Sequence, residues 1–168
     1  MDPWCNEKSL MDLVDFHLPS YNNIHAPANS LFTWLACKNS LKTTDFLTRH
    51  GIQVASSCIL CFSASESHSH LFFECDYFFP ILNNLIPVAG DLLMRPNIFQ
   101  TFNFIEEQNI DRKLKHFYYL MVCAMIYYHR RARNDRMFGH IFDYKATVTQ
   151  KLKEVPWGNQ GLSAAFVA

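Results

Sequence analysis

The sequence predicts a mainly α protein: a small helical domain with a Cys3His zinc-binding loop, followed by a long C-terminal helix. Three observations carry this. Apolar residues recur every three or four positions between Asp111 and Phe138. Shorter stretches before it carry helix start and stop signals. Between them lies "CILCFSASESHSHLFFEC", residues 58–75, where cysteines and histidines are concentrated.

Taken in order, residues 1–19 read as an N-terminal segment with one short helix around "SLMDLVDF", closed by Pro19. Residues 20–90 form the expected zinc-binding domain. After Pro27, Asn29 or Ser30 is a suitable N-cap for "LFTWLACKNSL", which places Leu31, Trp34 and Leu35 near one face. Thr43 or Thr44 starts a second helix, "TDFLTRH", and Gly51 stands where a helix ends in a left-handed residue. The two make a hairpin. Pro80 interrupts or starts a helix in "LFFECDYFFPILNNLI". Residues 91–150 are a helical extension: "GDLLMRPNIFQTFNFIEEQN" is loop plus a modest helix, and then comes the long one, with Asp111 as N-cap and Leu114, Phe117, Tyr118, Met121, Met125 and Tyr128 on its apolar stripe. Residues 151–168 read as a flexible tail.

The ligand spacing is Cys58, two residues, Cys61, eight residues, His70, four residues, Cys75. Three thiolates and one imidazole are the donor set of tetrahedral structural zinc, at about 2.3 Å from sulfur and 2.0–2.1 Å from nitrogen. The two-residue gap turns both sulfurs toward one point. On a regular helix His70 and Cys75 would point about 140° apart, so a turn or helix start must separate them. His68 competes with His70, and composition alone does not choose between them. Buried cysteine as a plain small apolar group is the competing reading of the whole set.

Fifteen basic residues balance fifteen acidic ones, so no global field draws the chain to nucleic acid or membrane. The longest apolar run, Phe117–Tyr128, falls short of the roughly 18 residues a membrane span needs and reads as a buried helix. The opening "MDPWCNEKSLMDLVDF" lacks a basic region followed by an apolar run, which predicts an intracellular setting, nucleus or cytoplasm, and free thiols. Four ligands close the coordination sphere, which leaves no metal-bound water for a base to serve, so Glu66 reads as a solvated acidic loop residue. The deaminase signature needs H-x-E ahead of its cysteine pair, and His50 is followed by Gly51 and Ile52. Cys5, Cys37 and Cys123 have no nucleophile signature, and five glycines form no phosphate loop. The expectation is a chain that is not an enzyme and takes no small-molecule substrate.

From Pro27 onward a set of separate elements agrees with one family: Phe32 and Trp34, Leu41 and Thr43, Leu47, "RHGI" at 49–52, Cys58 and Cys61, Glu66 and Ser67, "HLFF" at 70–73, and Cys75. The stretch 27–85 resembles the reverse-transcriptase zinc-binding domain of plant LINE-type retrotransposon polyproteins. "IYYHRRARNDRMF" at 126–138 is similar to that family's downstream helix, with Arg133 and Asn134 as its "RN" pair and Tyr127 or Tyr128 in place of a tryptophan. The resemblance implies one structural zinc ion and selects His70, the residue directly before "LFF". Tryptophans just before the family's proline, and another after its last cysteine, are replaced here by "YNNIHA" and by Ile81 or Leu82. No palm-domain aspartate pair and no ribonuclease H acidic set occurs in these 168 residues, so polymerisation is not implied.

Arg130, Arg131, Arg133 and Arg136 crowd the last turns of the long helix, where they complement its dipole and read as phosphate contacts. Phe62, Phe72 and Tyr77 are candidate platforms for unpaired bases, with Phe72 and Phe73 as core the plainer reading. The expected partner is RNA or another single-stranded nucleic acid. The alternatives are a protein partner docked on the aromatic surface and a transposon remnant without a cellular role.

Overall fold

The computed structural model describes residues 26–87 and 97–154, and there the chain is helical, with no strand among the described residues. Helix α1 spans Ala26–Cys37 and α2 spans Thr44–Arg49. A single π-helical turn covers His70–Glu74, and α3 runs Phe79–Leu85. Then follow α4, Ile98–Glu107, α5, Arg112–Phe138, and α6, Lys145–Lys153. The expected N-terminal helix around "SLMDLVDF" and the chain beyond Glu154 lie outside the described residues.

Local chemistry explains most boundaries. Helix α1 starts at Ala26, ahead of the cap expected at Asn29 or Ser30, with Pro27 in the first turn where its missing N–H costs nothing. Gly51 adopts φ +76° just past α2, the left-handed conformation that only glycine enters without strain. Pro80 starts α3 rather than breaking it. A capping box opens α4: Asn97 Oδ1 accepts from the Gln100 N–H at 2.8 Å and Gln100 Oε1 accepts from the Asn97 N–H at 3.0 Å. Asp111 caps α5, its carboxylate accepting from the Lys113 N–H at 2.9 Å.

Helix α5, 27 residues and about 40 Å long, is the spine. Its middle, Phe117–Ile126, is buried all round, as expected of a helix inside a protein. Helices α1, α4 and α6 pack on it, and α3 bridges α6 and the π turn. Phe117, Met121, Met125 and Ile126 are enclosed with Ile105 of α4, Ile81 of α3 and Leu152 of α6, each worth about 1.5–3 kcal/mol of apolar transfer. No described helix is long and apolar enough to cross a membrane. The tail boundary expected at 151 needs correction: Lys151–Lys153 belong to α6, whose Val148 and Leu152, four residues apart, lie buried on one face.

Candidate metal centre

The chain from Ile52 to Ser69 has no helix of its own until its last residues, and hydrogen bonds fold it back on itself. Ser57 and Ser65 form an isolated antiparallel bridge. The Cys58 N–H donates to Ala64 O at 2.8 Å, and the Glu66 N–H donates to Ser56 O at 2.8 Å. Inside this narrow loop the Phe62 N–H donates to Cys58 O at 2.8 Å and Phe62 takes φ +59°. This tight knuckle brings Cys58 and Cys61 round to one point.

The other two donors come from the π turn. Ser67 Oγ accepts from the His70 N–H at 3.1 Å and starts it. Its i→i+5 bonding makes a wider turn than an α-helix, which brings residues five apart back to one side. That resolves the angle between His70 and Cys75 that a regular helix forbids.

The ligand atoms of Cys58, Cys61, His70 and Cys75 all lie within 4.8 Å of one another. Cys58 Sγ and Cys75 Sγ are 3.9 Å apart, and Cys61 Sγ is 3.2 Å from His70 Nε2. A tetrahedron with metal–sulfur bonds of about 2.3 Å has sulfur–sulfur edges of about 3.8 Å, and the Cys58–Cys75 edge matches that length. Cys58, Cys75 and His70 are buried and Cys61 is half-buried, accepting a hydrogen bond from Ser63 Oγ at 3.1 Å. The hydrogen bond from Cys75 pulls the Cys58 thiol down to about 5 against the opposing effect of burial, and the same bond pushes Cys75 up. The direction at Cys58 is toward the thiolate, the form that binds metal. The four residues are positioned to hold one zinc ion.

His68 is employed elsewhere. Its Nε2 accepts from the Leu41 N–H at 3.0 Å, tying the zinc loop to the α1–α2 connection, and burial lowers its pKa.

Glu66 departs from the solvated residue expected. Its side chain is 0% exposed and its carboxylate is fully engaged: Oε1 accepts from the Thr44 N–H at 2.9 Å and from an Arg133 Nη at 2.6 Å, and Oε2 accepts from Arg133 Nε at 2.8 Å. Of the two expected caps of α2, Thr43 takes the N-cap position but makes no side-chain capping bond, so Glu66 supplies the acceptor for that helix start from the zinc loop. The missed signal was the "RN" pair at 133–134, a candidate counter-charge that local sequence could not connect to residue 66.

The four arginines do not share one face. Arg133 grips Glu66. Arg136 is buried, donating to Leu60 O at 2.7 Å, Ile59 O at 3.2 Å and Asp143 O at 3.1 Å while its guanidinium lies 4.5 Å from the Tyr77 ring centroid. It ties down the carbonyls of the knuckle. Arg130 lies 3.7 Å over the Phe32 ring. Arg131 is exposed, 3.6 Å from Asp135. Of the proposed base platforms, Phe72 and Tyr77 are buried in the core and Phe62 is 64% exposed.

His129 packs beneath this region against Phe72 and Phe78, with ring centroids 5.2 and 4.3 Å away, and neither ring nitrogen has a hydrogen-bond partner. Burial, reinforced by the charge of Arg133, lowers its pKa to about 3. The unfolded chain therefore takes up a proton near pH 6.5 that the folded one refuses, so this stability is complete above that pH and is lost progressively as pH falls toward 3. His129→Leu is expected to leave stability at pH 7.5 unchanged or higher, since it removes an unpaired buried polar group. It should also flatten the decline between pH 6.5 and 5. Denaturant titrations of both proteins across that range check this; a variant as acid-sensitive as the parent would refute it.

Residues 9–80 match the family model described as zinc-binding in reverse transcriptase. The matched span holds all four ligands and Glu66, and it ends before Arg133 and Arg136, the α5 residues that hold the loop. No curated protein and no solved structure matches the chain.

Proposed function

We propose that this chain is a non-catalytic, zinc-stabilised module of plant LINE-type retrotransposon descent that binds single-stranded RNA inside the cell, in nucleus or cytoplasm. The observation that carries binding is the surface at the end of α5. Phe138, Phe142 and Tyr144 are 76%, 57% and 81% exposed, and exposed cations accompany them at Arg131 and Lys145. Aromatic faces beside cations are what a single strand needs, stacking for its bases and charge for its phosphates. The absence of catalysis is supported by a donor set that fills four-coordinate zinc. It is supported again by Glu66, whose oxygens are held by Arg133 and Thr44 and are not available as a base.

The burial of Arg133 and Arg136 narrows the phosphate contacts to Arg130 and Arg131. Titration of an unstructured oligoribonucleotide at several salt concentrations tests this. Affinity should fall linearly on a log–log salt plot, and Arg131→Gln should reduce the slope by about 0.7, one phosphate contact on a single strand. Affinity indifferent to both salt and Arg131 would remove the RNA reading. A protein partner is the second reading, favoured by the exposure of Phe138, Ile141 and Phe142, three large apolar side chains within five positions. It predicts that one dominant protein co-purifies after nuclease treatment.

A further inference from the structure

Beside the zinc loop, α1, α2 and α5 leave a groove of about 470 Å³ between them, within the size range of ligand sites. Its walls are largely apolar, with Phe32, Leu35 and Leu71 among them, and Phe138, 76% exposed, stands at its edge. Every charged residue lining it is basic: Lys42, Arg130 and Arg133, with no aspartate or glutamate. Arg133 is neutralised by Glu66, and Lys42 and Arg130 have no ion pair among the described residues. Arg130 is pinned against the Phe32 ring, so its cation stays at the groove wall. The side-chain amide of Asn134, half-buried in the same wall, has no hydrogen-bond partner among the described residues.

We infer that this groove is a pocket for one unpaired nucleobase of a single-stranded RNA, a placement that rests on the RNA-binding reading above. A base offers a flat apolar face and a polar edge, with phosphates on either side, and the groove has a counterpart for each. Phe138 supplies an aromatic face at the mouth. The Asn134 amide, donor and acceptor together, matches the donor and acceptor pattern of a base edge. Lys42 and Arg130 meet the flanking phosphates. An amphipathic protein segment would use the apolar walls but, unless acidic, would leave Lys42 and Arg130 without a counter-charge. The RNA strand satisfies both.

The test uses the full zinc-loaded chain and a uridine-rich oligoribonucleotide carrying 4-thiouridine, cross-linked by light and mapped by mass spectrometry. An abasic oligonucleotide of equal length and the variants Asn134→Ala and Phe138→Ala are compared in parallel. Both substitutions lie at half-buried or exposed positions. Cross-links are expected on peptides containing Phe32 or residues 134–138. Each variant is expected to weaken binding about tenfold, the size of one lost base contact, and the abasic strand should bind correspondingly worse. RNA binding with cross-links elsewhere, at Phe142 or Tyr144, and with variants unaffected would overturn the pocket and leave the RNA reading standing. Equal affinity for the abasic strand would do the same. No RNA binding at any salt concentration would overturn both. Hydrogen-exchange protection of residues 133–138 by a co-purified protein, insensitive to nuclease, would assign the groove to that protein instead.

Discussion

Cys75→Ser is expected to abolish cooperative unfolding of the zinc-loop half of the domain and to reduce bound zinc from about one ion per chain to nearly none. The loop has little else to hold it. From Ile52 to Ser69 only Cys58, Leu60 and Glu66 are buried, so apolar transfer contributes only a few kcal/mol, against about 1–2 kcal/mol of backbone entropy for each residue fixed. Zinc binding supplies what that balance lacks, since the apparent binding energy of a structural site, about 10–16 kcal/mol in small peptides, is also folding energy. Serine cannot replace a thiolate donor, and it leaves three ligands. A chelator should reproduce the effect in the parent chain. Cys37→Ser is the control, because Cys37 lies on α1 outside the donor cluster; zinc content should stay at about one. Elemental analysis with thermal unfolding followed by circular dichroism reads both results, and a metal-free Cys75→Ser protein as stable as its parent would refute a structural role for the ion.

What could be read from the sequence divides along a physical line. Features fixed by neighbours in the chain were legible. The apolar stripe of α5, the Asp111 cap, the left-handed Gly51 and the C-x2-C knuckle each depend on contacts within a few residues. His70 needed the family resemblance, since two histidines in one polar run differ only in which one the folded chain turns toward the sulfurs. The structure employs the other, His68, as an acceptor for the Leu41 N–H. Features fixed by distant partners were not legible. Glu66 sits in a serine-rich run that reads as solvated, and what buries it is an arginine 67 positions further on. Helix α6 was missed because its face has only Val148 and Leu152 to show, too few for a periodic signal. Arg133 and Arg136 looked like surface charge for the same reason, as an arginine run does not reveal which carbonyls and carboxylates the fold will bring to it.

Glu66 and Arg133 give the second large expected effect, one that separates a buried pair from a sum of surface contacts. Their side chains are 0% and 11% exposed, and the guanidinium meets the carboxylate through two nitrogens. Removing one partner leaves the other charge buried and unpaired, which costs about 3–5 kcal/mol. Arg133→Met should cost that much. Glu66→Gln should cost less from the α2 side, because its amide oxygen can still accept from Thr44 N–H, but its amide NH2 would face the guanidinium, donor against donor. The double variant Glu66→Gln with Arg133→Met removes both charges and keeps the helix cap. It should be more stable than Arg133→Met alone, with a coupling energy of about 2 kcal/mol or more. Exposed ion pairs weaken with salt whereas this one is shielded, so the coupling should persist at about 1 M salt, where the screening length is about 3 Å. Because the loop folds together with its metal, each variant's lost stability should reappear as weaker zinc binding, about tenfold for every 1.4 kcal/mol, in chelator competition. Additive single effects, or a coupling that disappears in salt, would mean that the pair is not what holds the zinc loop to α5.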